Sequence, residues 1–152
     1  STVKSEVFVR LPGKITIGIV LTGAVLQLVP FGHKHSNPAV IQEPAWDSPG
    51  TRTLVKRACY NCHSNETVWP WYSSLAPVSW LTERDVNQGR GHLNFSEWND
   101  PMNQPDDIVE EVAAGNMPPW FYLPLHPEAK LTQEERTALL QGLRKSLNAP
   151  TP

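Results

Sequence analysis

Apolar residues form one unbroken block near the start of the chain and helical stripes further along it. Residues 15–31 carry no charge, and the polar side chains among these seventeen residues are Thr16, Thr22 and Gln27. A helix of that length spans about 25 Å, slightly short of a bilayer core. The block predicts one N-terminal transmembrane helix, in preference to a cleaved signal peptide or a buried core helix.

Basic residues flank this block unevenly. Lys4, Arg10 and Lys14 precede it, whereas Lys34 is the base that follows it closely. Because cytoplasmic flanks carry an excess of Lys and Arg, we expect a cytoplasmic N-terminus and a single pass through a bacterial cytoplasmic membrane. The rest of the chain would then lie in the periplasm or outside the cell.

The remainder of the chain predicts helices joined by long loops, since fifteen prolines limit regular structure. Residues 32–47 have no apolar period and predict an extended linker, which could hold the next domain off a membrane or wrap across that domain. Cap residues and apolar stripes predict helices over residues 49–62, 77–88, 106–114 and 133–147. The predicted organisation is an anchor region at 1–31, a linker at 32–47 and a mainly α-helical domain at 48–152.

The segment Cys59-Tyr60-Asn61-Cys62-His63 has the spacing of covalent haem attachment. Each thiol can form a thioether with one haem vinyl group, and the following imidazole can bind the iron. A zinc site would need further ligands without a second thiolate pair, and a thioredoxin-like dithiol would need a βαβ context. We therefore expect one haem c, attached through Cys59 and Cys62 and bound by His63.

A sixth iron ligand is predicted on the opposite face of the haem. Met117 is followed by two prolines that can support its thioether, and it lies far enough after His63 for the chain to pass around the haem edge. Methionine opposite histidine is the usual ligation of electron-transfer cytochromes c. The rival ligands are His92, Met102 and His126, and an open sixth position is a further alternative.

Aromatic residues that follow the motif can cover the haem plate, because a small domain has little core of its own. The candidates are Trp69, Trp71, Tyr72 and Trp80. Ordinary core packing is the alternative for each of them. Arg90 is a candidate partner for a haem propionate, since guanidinium pairs well with carboxylate, and a plain surface charge is its alternative.

The charged residues lead to two further predictions. A formal net charge of −2 provides no basic surface, so we expect no nucleic-acid partner. Between Arg90 and Lys130 the charged residues are all acidic, with most of them in the region 97–111. This region is either a solvated helix with acids at its positive end or a docking patch for a basic partner.

Five motifs follow one another after the apolar block: Cys62-His63-Ser64-Asn65-Glu66-Thr67, Trp69-Pro70-Trp71-Tyr72, Ala76-Pro77-Val78-Ser79-Trp80-Leu81, Gly91-His92-Leu93-Asn94-Phe95-Ser96-Glu97-Trp98 and Met117-Pro118-Pro119. Together they resemble the haem-binding domain family of small, single-haem, cytochrome-c-like bacterial proteins, which commonly carry one N-terminal membrane anchor. The resemblance implies a single haem c held outside the membrane. Likeness to cytochromes c further implies that the last helix packs on the helix at 49–62.

These features predict a membrane-anchored monohaem cytochrome c that transfers single electrons rather than an enzyme. Its partner would be a respiratory or photosynthetic membrane redox complex, and residues 15–31 would contact the lipid bilayer. One alternative is a haem enzyme or a gas- or peroxide-binding protein with an open sixth position and His92 as acid/base. Another is a structural subunit that uses its haem to stabilise the fold.

Overall fold

The computed structural model describes residues 13–147, which are mainly helical, as predicted. Two short 3₁₀ helices, Trp71–Ser74 and Pro127–Ala129, and an isolated bridge between Gln42 and Glu97 complete its regular structure. Its α-helices are α1 (Gly13–Leu26), α2 (Pro49–Ala58), α3 (Tyr60–His63), α4 (Val78–His92), α5 (Asp107–Ala114) and α6 (Gln133–Leu147). Most of the predicted cytoplasmic segment before the apolar block lies outside the described residues.

The prediction of a transmembrane helix is wrong. Helix α1 has 14 residues, and at 1.5 Å per residue it covers about 21 Å, well below the roughly 30 Å of a bilayer core. After Leu26 the N–H groups of Leu28 and Val29 donate to carbonyls three residues earlier, at 3.0 and 3.3 Å, so the helix tightens into a turn. Pro30 then has no N–H to resume the helical ladder. Within residues 13–147 no helix has both the length and the apolar character needed to cross a membrane. The same finding contradicts the predicted single-pass localisation with a cytoplasmic N-terminus and a periplasmic domain.

The end of α1 is fixed to the start of α4. The Gln27 side-chain amide donates to the Ala76 carbonyl at 3.0 Å and accepts from the Ala76 N–H at 3.1 Å. Gly32 has a φ of 83°, and a Cβ at this position would lie 2.6–2.7 Å from atoms of Ser79 and Trp80. Glycine therefore allows the chain to turn tightly against α4.

Residues 32–47, which we call the strap, lie along the domain surface. Asn37 donates from Nδ2 to the Thr67 carbonyl at 2.8 Å. The backbone N–H groups of Ile41 and Gln42 both donate to the Ser96 carbonyl, at 2.8 and 3.0 Å. Of the two geometries that the sequence left open for this segment, the strap has the one that wraps across the domain.

Arg90 connects the strap to the segment that follows α3. Its guanidinium donates to the carbonyls of Ser64 and Ser36 at 2.7 and 2.9 Å. It also donates to Asn37 Oδ1 at 3.0 Å and to Thr67 Oγ1 at 2.9 Å. Four acceptors from two separate parts of the chain thus share one cation, which explains why arginine rather than lysine occupies this position.

Replacing Arg90 with leucine is expected to lower the free energy of unfolding by about 2–4 kcal/mol, because four oxygen acceptors lose a charged donor. Chemical denaturation followed by circular dichroism measures the change. Arg84→Leu is the matched control, since Arg84 is exposed on the same helix, and its effect should stay within about 0.5 kcal/mol. Equal losses in the two variants would show that the guanidinium contacts contribute nothing specific.

The core lies where α2, α5 and α6 meet the loop that follows α4. Val55, Leu139 and Leu143 are completely or almost completely buried, and Phe95 stacks against Trp98. Helix α6 packs on α2 as expected, and Gly142 permits this approach because a Cβ there would clash with the Thr51 side chain. The predicted helix at 133–147 is confirmed together with its capping box of Thr132 and Glu135.

Two predicted helix boundaries differ from the structure. The helix expected over 49–62 is divided at Cys59, whose φ of −125° interrupts it between α2 and α3. The helix expected to end at residue 88 continues to His92, so Gly89 and Gly91 are helical. Close packing of α4 on α3 explains the second difference, because Gly89 is required inside the helix rather than at its end.

Candidate functional site

A mostly apolar cavity of about 470 Å³ lies between α3, α4, α5 and the loop that follows α5. This volume falls within the range of small-molecule and cofactor pockets, about 300–1,000 Å³. Cys59, Cys62, His63 and Met117 all line it. The structure therefore brings the Cys59–His63 motif and the predicted sixth ligand to one site, although more than fifty residues separate them along the chain.

His63 is held in one orientation by a backbone hydrogen bond. Its Nδ1–H donates to the Leu93 carbonyl at 3.1 Å, which leaves Nε2 as the nitrogen able to bind a metal. Burial lowers the pKa of His63, and hydrogen bonds to backbone carbonyls oppose that effect. The ring is therefore neutral at physiological pH and has a lone pair available for iron.

The two thiols are free, and both cysteine residues are half-buried. Burial, followed by the nearby Cys62 sulfur, raises the pKa of Cys59 to about 12. Burial, followed by the Asp85 carboxylate, raises the pKa of Cys62 to about 11. A redox-active dithiol needs a lowered thiol pKa, so this environment argues against thioredoxin-like chemistry. Residues 13–147 also contain no group of three or more His, Cys, Asp and Glu side chains placed to hold a metal ion, as a zinc site would require.

A buried polar network supports the segment around His63. Phe95 N–H donates to the His63 carbonyl at 2.8 Å. Asn94 Nδ2 donates to Asn65 Oδ1 at 2.9 Å, and the Asn65 N–H donates to Ser96 Oγ at 2.9 Å. Because the polar groups in this chain of contacts have partners, the network fixes the loop after α4 against the Cys59–His63 motif.

Gly89 sets the distance between α4 and the motif. A Cβ at this position would lie 2.9 Å from the Cys62 carbonyl carbon and 3.0 Å from its Cβ, and it would overlap the carbonyl oxygen. Glycine thus lets the α4 backbone contact the Cys62 backbone directly. The closeness of these two backbones positions Cys62 and His63 at the cavity wall.

Met117 reaches the cavity through the turn that ends α5. Gly115 ends the helix in the left-handed region with a φ of 82°. The N–H groups of Asn116 and Met117 then both donate to the Glu111 carbonyl, at 3.0 and 3.3 Å. This turn, with Pro118 following it, presents Met117 to the same cavity as His63.

The rival ligands divide into two groups. His92 lines the cavity, so it stays available as an alternative to Met117. Met102 is 70% exposed and lies outside the cavity lining. His126 also lies outside it and bonds to Tyr72 and Glu128 instead. Position in the structure thus reduces the candidates for the sixth ligand to Met117 and His92.

The predicted aromatic cover and the predicted propionate partner lie elsewhere. Trp69 stacks on His35 of the strap, with ring centroids 4.6 Å apart. Trp71 is 78% exposed, and Tyr72 hydrogen-bonds to His126. Trp80 contacts Gly32, and Arg90 holds the strap as described above. None of these five described side chains is part of the cavity lining.

Sequence reasoning missed two residues that support the motif. Asn61, which lies between the cysteines, donates from Nδ2 to the Tyr122 hydroxyl at 2.7 Å and accepts from the Val68 N–H at 3.0 Å. Tyr122 lines the cavity, and burial raises its pKa to about 12. The aromatic residues after Met-Pro-Pro were the available signal, but their contact with the motif spans 61 residues.

The acidic region contributes to the cavity as well. Asp107 and Glu111 of α5 line it, together with Asp85 of α4. Burial raises the pKa of Asp85, and the adjacent Arg84 opposes that effect. Part of the predicted docking region therefore faces the cofactor cavity, and its contact with a basic partner stays a prediction.

The fold and the site define a small helical domain whose cavity offers two thiols, an imidazole and a thioether, a donor set that fits haem. A family model described as a haem-binding domain matches residues 21–145, which is most of the chain. The chain therefore belongs to the haem-binding domain family and is a haem-binding protein. No curated protein and no solved structure matches the chain.

Proposed function

We propose that the protein is a monohaem c-type electron carrier. Cys59 and Cys62 would attach the haem, and His63 and Met117 would bind its iron. The observation that carries the proposal is the convergence of these four side chains on one cavity. Two thiols match the two vinyl groups of haem, and an imidazole and a thioether match its two axial positions.

Covalent attachment at this site needs neither an oxidant nor a leaving group. Each of the Cys59 and Cys62 thiols would add its sulfur and its hydrogen across one vinyl group, so no atom would be left over. When bound, haem supplies a one-electron iron couple. The chain itself would hold the imidazole orientation through Leu93, exclude water with its apolar wall and raise the potential through the Met117 thioether.

Redox proteins that exchange single electrons would be the partners of such a carrier. If His63 and Met117 both held the iron, no position would stay open for a substrate, which favours electron transfer over catalysis. Respiratory or photosynthetic complexes belong to this class of partner.

Replacing Met117 with alanine tests the ligation. We expect loss of the sulfur-to-iron absorption band at the red edge of the ferric spectrum. We also expect a midpoint potential lowered by at least roughly 60 mV, which is a tenfold change in a one-electron equilibrium. Absorption spectroscopy and redox titration of the haem-loaded full chain measure both effects.

Met102→Ala is the matched control, because Met102 is the exposed methionine, and both properties should stay unchanged. If the band is absent from the wild type, or persists in Met117→Ala, Met117 is not the ligand. Loss of low-spin character in His92→Ala instead would assign the sixth position to His92.

A haem enzyme or a gas- or peroxide-binding protein is the second candidate. His92 favours it, since an imidazole in the cavity beside the polar side chains of Gln88 and Gln104 could act as acid/base. Carbon monoxide discriminates between the two functions. Immediate binding of carbon monoxide to the reduced wild type would favour the enzyme, whereas a spectrum that does not respond would support the carrier.

A further inference from the structure

Beside the cavity lies a cluster of four side chains that electron transfer through the iron does not itself use. We call Tyr72, Tyr122, His126 and Glu128 the histidine cluster. His126 Nε2 lies 2.6 Å from the Tyr72 hydroxyl, and His126 Nδ1 lies 3.1 Å from Glu128 Oε1. The Tyr122 ring stacks on the His126 ring with centroids 3.9 Å apart and an interplanar angle of 8°. His126 is thus bonded at both nitrogens and covered on one face.

The histidine cluster is connected to the haem site through one residue. Tyr122 lines the cavity, and its hydroxyl accepts from Asn61 Nδ2 at 2.7 Å. Asn61 lies between the two cysteines of the motif. The His126 ring is therefore separated from the cavity by a single stacked ring, whose centroid lies 3.9 Å from that of His126. A charge on His126 and a charge in the cavity can interact across this one ring.

His126 can change protonation state without losing a hydrogen bond. When it is neutral, Nδ1–H donates to Glu128 and Nε2 accepts from the Tyr72 hydroxyl. When it is charged, Nε2–H donates to the Tyr72 oxygen after the hydroxyl hydrogen rotates away, because a phenol both donates and accepts. The Glu128 carboxylate and the face of the Tyr122 ring stabilise the charged form. The side chain of His126 is 12% exposed, which leaves a path for protons from solvent.

The cations of the helix that packs beside the cluster are paired with carboxylates outside it. Helix α2 packs against Pro127–Ala129, and its three cations are Arg52, Lys56 and Arg57. Their partners are Glu43, Glu66 and Glu135 respectively. The groups that contact His126 directly are the Glu128 carboxylate, the Tyr72 hydroxyl and the Tyr122 ring. Each cation of α2 is bound to another carboxylate instead of Glu128.

We propose that His126 takes up a proton when the haem is reduced. The inference rests on the proposed electron-carrier function. A one-electron donor reduces the iron from the ferric to the ferrous state, and one proton from water forms the new N–H bond at His126 Nε2. The added negative charge in the cavity favours the charged imidazolium, so reduction of the iron and proton uptake at His126 favour each other.

Proton uptake on reduction makes the midpoint potential depend on pH. The midpoint potential falls as pH rises within the window in which reduction is accompanied by proton uptake at His126, and it is flat outside that window. Each tenfold change in proton concentration shifts the potential by at most about 59 mV in a one-electron couple. Redox titration of the haem-loaded full chain from about pH 5 to pH 9, a range centred near the ordinary pKa of histidine, measures the slope.

His126→Gln should abolish this pH dependence, because glutamine offers similar hydrogen bonds without titrating. Glu128→Gln should keep the slope but move its window to lower pH, since the imidazolium loses its carboxylate partner. If the cluster had a purely structural role, Glu128→Gln would not move the pH window of the midpoint potential. His33→Gln, an exposed histidine on the strap, is the matched control and should behave as the wild type.

Nuclear magnetic resonance of labelled histidines provides a second measurement, the pKa of His126 in each redox state. Equal values in the two states, or a slope that persists in His126→Gln, would overturn the inference. A slope that disappears in His92→Gln instead would assign the proton to the cavity histidine and would also overturn it. If no reversible iron couple is found at any pH, the proposed function itself fails, and that outcome is distinct from a reversible couple that ignores pH.

Discussion

Replacing Cys59 and Cys62 together with serine is expected to make the haem fully extractable by acidified organic solvent, whereas the wild type should retain it. A serine hydroxyl does not replace the thiol in the addition to a vinyl group, so both covalent links are lost. His63 and Met117 alone cannot hold the haem, because acid protonates the imidazole and breaks its bond to iron. Haem staining after denaturing electrophoresis and the intact mass of the chain measure the result.

Single substitutions and one neighbour serve as controls for this experiment. Cys59→Ser and Cys62→Ser should each keep the haem through the remaining thioether. Asn61→Ala removes the hydrogen bond to Tyr122 but keeps both thiols, so its haem should stay attached. Haem that is extracted completely from the wild type would contradict covalent attachment and would leave a haem-binding protein with a non-covalent cofactor.

The Gly89→Ala variant is expected to lose about 2–3 kcal/mol of unfolding free energy and a large share of its haem. The added methyl group would overlap the Cys62 carbonyl, so α4 and the motif must separate. The segment around His63 cannot move easily, because its carbonyl accepts a hydrogen bond from Phe95 and its ring donates one to Leu93. Thermal unfolding gives the stability, and the ratio of haem to protein absorbance gives the occupancy.

Gly91→Ala is the matched control on the same helix. A Cβ at Gly91 meets no atom within 4 Å, so alanine should be neutral or stabilise the helix by up to about 1 kcal/mol. If the unfolding free energy falls in Gly89→Ala but not in Gly91→Ala, backbone contact with Cys62 is the cause of the loss. If Gly89→Ala is as stable and as fully loaded as the wild type, close packing of α4 on the motif is not required.

Features encoded by neighbouring residues were predictable from the sequence. The Thr132/Glu135 capping box, the end of α5 at Gly115 and the spacing of Cys59 and Cys62 each depend on contacts within a few positions. Local hydrogen bonds and helical geometry determine such features, so a short window of sequence contains the necessary information.

Features that depend on distant partners were not predictable in this way. Trp69 stacks on His35, and Arg90 bonds to the Ser36 carbonyl, a group that every residue possesses. A tryptophan that can cover a haem can equally cover another ring, because both are apolar surfaces. Hydropathy likewise measures transfer into lipid and not helix length, so it did not reveal that α1 ends at Leu26.

The strap also determines how much of the chain unfolds together. Opening it would leave the carbonyls of Thr67 and Ser96 without their strap donors, beside the Cys59–His63 motif. It would also remove two of the four acceptors of the Arg90 guanidinium, the Ser36 carbonyl and Asn37 Oδ1. The free energy of that opening is therefore tied to disruption of the motif rather than to the fraying of a loose connector. The amide hydrogens of Ile41 and Gln42 should accordingly exchange with solvent as slowly as core amides, and a protease should encounter residues 37–42 as part of the folded domain.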